Sequence, residues 1–74
     1  MTLLLMDMSL TTRLDEVSAT ATYIGRAAPG SSETASVWQL KLLETTNTVL
    51  AVKYPNGVNN FNSVWADRAL YQYS

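Results

Sequence analysis

Two runs of alternating residues, joined by a short polar stretch, constrain this chain more than anything else in it. In Ser36–Leu43, Trp38, Leu40 and Leu42 fall on one side, with Val37, Gln39, Lys41 and Leu43 on the other. In Thr48–Tyr54, Leu50, Val52 and Tyr54 alternate with Val49, Ala51 and Lys53. A repeat of two is the period of a strand, whose successive side chains point to opposite faces. Glu44-Thr-Thr-Asn47 between the runs is polar and out of phase with any helix, which predicts an antiparallel hairpin. Trp38, Leu40 and Leu42 read as the core side of its first strand, and Leu50 and Val52 as the core side of its second. Tyr54-Pro-Asn-Gly57 then predicts a type I turn, with proline second and glycine fourth.

The flanking segments read as β as well. Ala19–Ile24 alternates small or apolar residues with threonine and predicts a strand. Gly25 and then Ala27-Ala-Pro-Gly-Ser-Ser32 are expected to end it in a surface loop, Pro29 lacking a ladder donor and Gly30 accepting positive φ. In Asn59–Ser74, Asn60 or Asn62 is placed to cap a short helical turn over Ser63–Asp67 that sets Phe61 and Trp65 on one face. Ala69–Tyr73 alternates as a closing strand. The expected fold is a mainly β, single-domain antiparallel sheet, sandwich or barrel-like, with one short helical turn and an extended N-terminal arm. Its core is expected to hold Tyr23, Trp38, Leu40, Leu42, Leu50, Val52, Phe61, Trp65 and Leu70.

The first ten residues stand apart, with Leu3, Leu4, Leu5, Met6, Met8 and Leu10 interrupted by Asp7. The run lacks a basic leader and is too short to span a bilayer, so neither a secretory signal nor a membrane helix is expected. Two readings stay open. It is an edge or core strand of the domain, with Leu4, Met6, Met8 and Leu10 on one face, or an arm laid on a neighbouring subunit by strand addition. On the second reading the chain divides into an arm over 1–17 and a small β domain over 18–74.

Composition narrows the chemistry. The 74 residues contain no Cys and no His, so thiol nucleophiles, imidazole bases, the usual zinc sites and disulfides are all lacking. We expect no enzyme, cofactor or metal. A net charge of −1 gives no basic footprint for nucleic acid, and no membrane partner is expected either. Charged residues make up 15 % of the chain, against roughly 25 % in soluble domains, as suits a surface shared with other chains. A domain of this size without disulfide or metal draws only about 3–5 kcal/mol from its core, which makes oligomerisation the remaining support.

The candidate sites are few. Asp15 and Glu16 are adjacent, so a strand would send them to opposite faces; they read as a solvated turn rather than a catalytic pair. Asp67 and Arg68 read as a structural ion pair or turn, one of them bridging to a neighbouring strand. The loop Ala28-Pro-Gly-Ser-Ser32 lacks the lysine of a phosphate loop. Exposed tryptophan or tyrosine would offer a stacking platform for sugars; the competing role is to fill a small core.

Tyr23-Ile-Gly-Arg-Ala-Ala-Pro-Gly30, the tryptophan strand Ser36–Leu42, and the ending Phe61-Asn-Ser-Val-Trp-Ala-Asp-Arg-Ala-Leu-Tyr71 together resemble a family of short structural proteins of tailed bacteriophages. The likeness covers roughly residues 20 to 73 and leaves the arm outside. Its ending, with the Phe, Trp, Asp-Arg, Leu and Tyr set, is the more specific part. Where such relatives often carry Trp-Ala-Asp-Gly, this chain has Tyr54-Pro-Asn-Gly57. The resemblance implies a virion protein that associates with its own copies and with major capsid or tail proteins. A capsid cement or decoration subunit is the leading expectation, a tail, neck, baseplate or fibre-attachment component the second, and a carbohydrate- or host-surface-binding module the third.

Overall fold

The computed structural model describes residues 10–74. The fold is mainly β. Strands β1 (Thr11–Ser18), β2 (Ala21–Ala27), β3 (Ser36–Thr46) and β4 (Val49–Lys53) form an antiparallel meander in the order β1-β2-β3-β4. A short β5 (Ser63–Val64) pairs with the start of β3 and runs into a 3-10 turn at Trp65–Asp67.

Each connection follows from local chemistry. Ser18 and Ala21 pair across a two-residue link, where the Ser18 hydroxyl accepts the Thr20 N–H at 3.2 Å. Between β2 and β3, the Ser31 N–H reaches the Ala28 carbonyl at 3.1 Å, and Gly30 takes φ 85° at the position where a type II turn needs it. The β3–β4 hairpin closes on Asn47-Thr48 alone, with Asn47 at φ 58°, a conformation that asparagine tolerates. The turn after β4 is not type I. Asn56, its third residue, has φ 52°, as in type II, and the Gly57 N–H closes it onto the Tyr54 carbonyl at 2.9 Å.

The hairpin register decides the core. Thr46 lies opposite Val49, so Leu42 faces Lys53 and Leu43 faces Val52. Cross-strand partners share a face. The face built on Trp38, Leu40 and Leu42 therefore continues through Ala27, Gly25 and Tyr23 on β2 and through Val49, Ala51 and Lys53 on β4. The C-terminal segment lies over this inner face. Trp38, Leu40, Ala27 and Trp65 are its buried core, with Tyr23, Tyr71 and Tyr73 packed against it. Leu42 is half-buried.

Four residues expected in the core are not there. Leu50 and Val52 are exposed because a loop of even length sets even-numbered residues of β3 opposite odd-numbered residues of β4, which puts both on the outer face beside Thr45 and Leu43. Phe61 is exposed because the segment before Trp65 is strand β5 rather than a capped helix, so the two aromatic residues share no helical face. Leu70 is 81 % exposed, in a turn closed by the Leu70 N–H on the Asp67 carbonyl; there is no closing strand, only a single bridge between Pro55 and Tyr73.

Two boundaries also move. Thr11–Ser18 belongs to the sheet and pairs with β2 along its length, so the domain includes residues 11–17, which were assigned to the arm. Its alternating charges had disguised it as a turn, as is common in edge strands kept polar against aggregation. Gly25 lies inside β2 rather than ending it, because the Trp65 ring rests on its backbone: a Cβ there would meet Cε3 of that ring and lie 2.8 Å from Cζ3. Leu3, Leu4, Leu5, Met6 and Met8 lie outside the described residues; Leu10, at the start of β1, is half-buried.

Candidate assembly surface

On the inner face the conspicuous polar group is Arg68. Its Nε donates to Oδ2 of Asp15 at 3.0 Å and its Nη2 pairs with the same oxygen at 3.0 Å, its Nη1 donates to the Trp65 carbonyl at 3.2 Å, and its guanidinium carbon lies 4.4 Å from the Trp65 ring centroid. Arg68 thus ties the C-terminal segment to the far edge strand. The bridge that the sequence allowed for the Asp67-Arg68 pair runs to Asp15, while Asp67 stays in the 3-10 turn. Asp15, read from the sequence as part of a solvated turn, is the missed residue. The alternation of β1 that puts it on the inner face and Glu16 on the outer would have marked it, had the strand been recognised.

The tyrosines are committed in the same way. Tyr73 donates its phenol to the Arg68 carbonyl at 2.8 Å, and the Tyr71 hydroxyl accepts the Val64 N–H at 2.8 Å. Burial, followed by the neighbouring Tyr23 and Tyr71, holds the Tyr73 phenol well above its ordinary range. Trp38 is fully buried and donates Nε1–H to the Ser32 carbonyl at 2.9 Å. The two indoles meet 5.9 Å apart. Neither tryptophan is free to stack on a sugar. Among the described residues there is no cavity, no acidic group of a size to hold a metal ion, and no helix long and apolar enough to cross a membrane.

What remains open is the outer face and one edge. The outer face carries two apolar pairs, Leu14 with Ile24 on β1 and β2 and Leu43 with Val52 on β3 and β4, with Leu50 alongside the second and Glu16, Thr22 and Lys41 between and beside them. Leu14 is 67 % exposed and Leu50 59 %. The two edges differ. β1 carries Arg13, Asp15 and Glu16, which oppose further pairing; β4 reads Val-Leu-Ala-Val-Lys. Beyond β4 the edge is already in use. Tyr54 exchanges main-chain bonds with Ser74 at 3.1 and 3.0 Å, and the Asn56 N–H reaches the Gln72 carbonyl at 2.7 Å. Because bonding direction alternates along an antiparallel strand, Val52 and Leu50 point their N–H and C=O the same way as Tyr54, away from β3. An apolar strand edge beside exposed apolar side chains is a surface that another chain can cover.

No protein family, no curated protein and no solved structure matches the chain.

Proposed function

We propose that this chain is a structural subunit of a tailed-phage virion, working by association with its own copies and with major virion proteins, and that its place is the capsid shell, as a cement or decoration protein. One observation carries the reading: β4 offers an exposed edge whose Leu50 and Val52 adjoin Leu43 on the outer face, on a domain whose buried core is four side chains. An edge of this kind on a free monomer invites pairing with other chains. A core this small also gains from every neighbour that covers the outer face. The likeness of Tyr23–Gly30 and Phe61–Tyr71 to phage structural proteins supplies the particle.

Contacts of this kind are individually weak and add through repetition around symmetry axes. Quantitative mass spectrometry of purified particles tests the proposal. A copy number on the scale of the shell supports the cement role, a handful of copies moves the chain to the tail, neck or baseplate, and absence from washed particles overturns the virion reading altogether.

A further inference from the structure

We propose that Asn56 is a site of self-modification: the Gly57 amide attacks the Asn56 carboxamide, and the isoaspartate that results unlatches the C-terminal segment from the sheet. This chemistry is independent of the proposed assembly role.

Two turns overlap at the site. The Gly57 N–H closes Tyr54–Gly57 on the Tyr54 carbonyl at 2.9 Å, and the Val58 N–H closes Pro55–Val58 on the Pro55 carbonyl at 3.0 Å. In the second turn Asn56 has φ 52° and Gly57 φ 74°, the two left-handed residues that a type I′ turn requires, and Asn-Gly meets that requirement with the least strain. The same dipeptide is chemically the weakest in the chain. Glycine has no side chain to shield its nitrogen, and the asparagine carboxamide lies one ring closure away from it. All five asparagines are exposed, so exposure does not choose among them; Asn56 alone precedes glycine, while the others precede Thr48, Asn60, Phe61 and Ser63.

In the first step the Gly57 nitrogen gives its proton to hydroxide and bonds to Cγ of Asn56. The Cγ–Nδ2 bond breaks, and Nδ2 leaves as ammonia with a proton from water. Water then opens the succinimide. Cleavage of the new N–Cγ bond gives aspartate, whereas cleavage between that nitrogen and the main-chain carbonyl carbon gives isoaspartate, in which the chain runs on through Cβ and Cγ. One water is consumed and one ammonia released.

The fold gates this reaction. The Gly57 proton is held on the Tyr54 carbonyl, which also accepts the Ser74 N–H at 3.0 Å, and the Asn56 N–H donates to the Gln72 carbonyl at 2.7 Å. Turn and C-terminal seam therefore open together, and ring closure proceeds from that locally open state. Isoaspartate places an extra carbon between these two N–H groups, so they cannot both return to Gln72 and Tyr54. The seam so lost includes Tyr73, which bridges to Pro55 and packs against the core.

The full-length protein, held in warm, mildly alkaline buffer, is digested and sequenced by electron-transfer mass spectrometry, which separates isoaspartate from aspartate. Replacement of NH2 by OH should begin at Asn56, mainly as isoaspartate, and the early mass gain of the intact protein should be lost in Asn56→Gly, which keeps the positive φ. If that variant unfolds, the order of modification among the asparagines of the unaltered chain decides alone. Isolated by ion exchange through its added carboxylate, the isoaspartate form should lose hydrogen-exchange protection at the amides of Gly57 and Ser74. Asn56→Asp, with the same charge on an unextended chain, should keep it. Deamidation that begins at Asn47, Asn59, Asn60 or Asn62 overturns the site, as does a folded chain whose Asn56 stays intact while the urea-unfolded chain reacts there. Unchanged protection in the isoaspartate form, or an equal loss in Asn56→Asp, overturns the unlatching.

Discussion

Replacing Gly25 with alanine adds one methyl group in the middle of β2, at the most crowded point of the inner face. A Cβ at this position would overlap Cε3 of Trp65, lie 2.8 Å from Cζ3 of the same ring and 3.2 Å from Cδ2 of Leu40. Neither neighbour can yield cheaply. Leu40 is 1 % exposed, and Trp65 is held between Trp38 on one side and the Arg68 guanidinium on the other. Overpacking of this kind costs about 1–3 kcal/mol. Alanine in a strand recovers about 0.5–1 kcal/mol through the unfolded state, since Gly25 is not among the glycines with positive φ. The net expectation is a loss of about 1–2 kcal/mol, or roughly 4–16 °C in Tm for a domain of this size. Thermal melts followed by tryptophan emission measure it. In a Trp65→Leu background the same substitution should cost much less, because the clashing ring has gone. An unchanged or raised Tm with unaltered tryptophan emission would refute the reasoning, since the indole would then not be resting on the glycine.

Three further outcomes follow from the same structure. Asp15→Asn or Arg68→Gln should destabilise by about 1–2 kcal/mol in denaturant unfolding, and the double variant by less than the sum; additivity would mean that the ion pair and its stacking on Trp65 are not coupled. Tyr73 titrates higher in the folded chain than its ordinary value of 10.0, so the unfolded chain loses that proton first. Stability is then full below about pH 10 and falls as pH rises above it, and Tyr73→Phe should flatten this decline in urea titrations; an equally steep fall in the variant would assign it to other groups. Leu40→Ala should cost about 2–5 kcal/mol, whereas Val52→Thr should change the stability of the isolated subunit by less than about 0.5 kcal/mol while weakening its self-association, as measured by sedimentation. Similar losses at both positions would mean that the outer face is already covered in the free subunit.

The secondary-structure class was legible because its signals are local. Trp38, Leu40 and Leu42 alternate without interruption, the polar break at Glu44–Asn47 admits only a reversal, and Pro29-Gly30 and Pro55-Asn56-Gly57 carry the dihedral preferences of turns. β1 was missed because an edge strand that must stay soluble is written in the polar residues of a loop. Phe61 and Leu70 were misplaced on the assumption that large apolar residues near the end of a small domain are needed in its core. The C-terminal segment instead closes the inner face with Trp65, Tyr71 and Tyr73, and leaves the other two outside.

The chain by itself determined that it would form an antiparallel sheet around a tryptophan strand and its hairpin, since period-two alternation and turn chemistry act within a few residues and tolerate little else. Tertiary structure alone decided which side of β4 faces inward. The hairpin register sets Leu42 opposite Lys53 and Glu44 opposite Ala51, so even-numbered residues of β3 share a face with odd-numbered residues of β4: Ala51 and Lys53 go to the inner face and Leu50 and Val52 to solvent. It also decided the pairing of Asp15 with Arg68 across 53 residues, giving the bridge expected near Arg68 a partner that read as part of a solvated turn. The exposed Leu50 and Val52 on which the proposed assembly rests come from that register, because two residues that read as core are ones the fold presents to solvent.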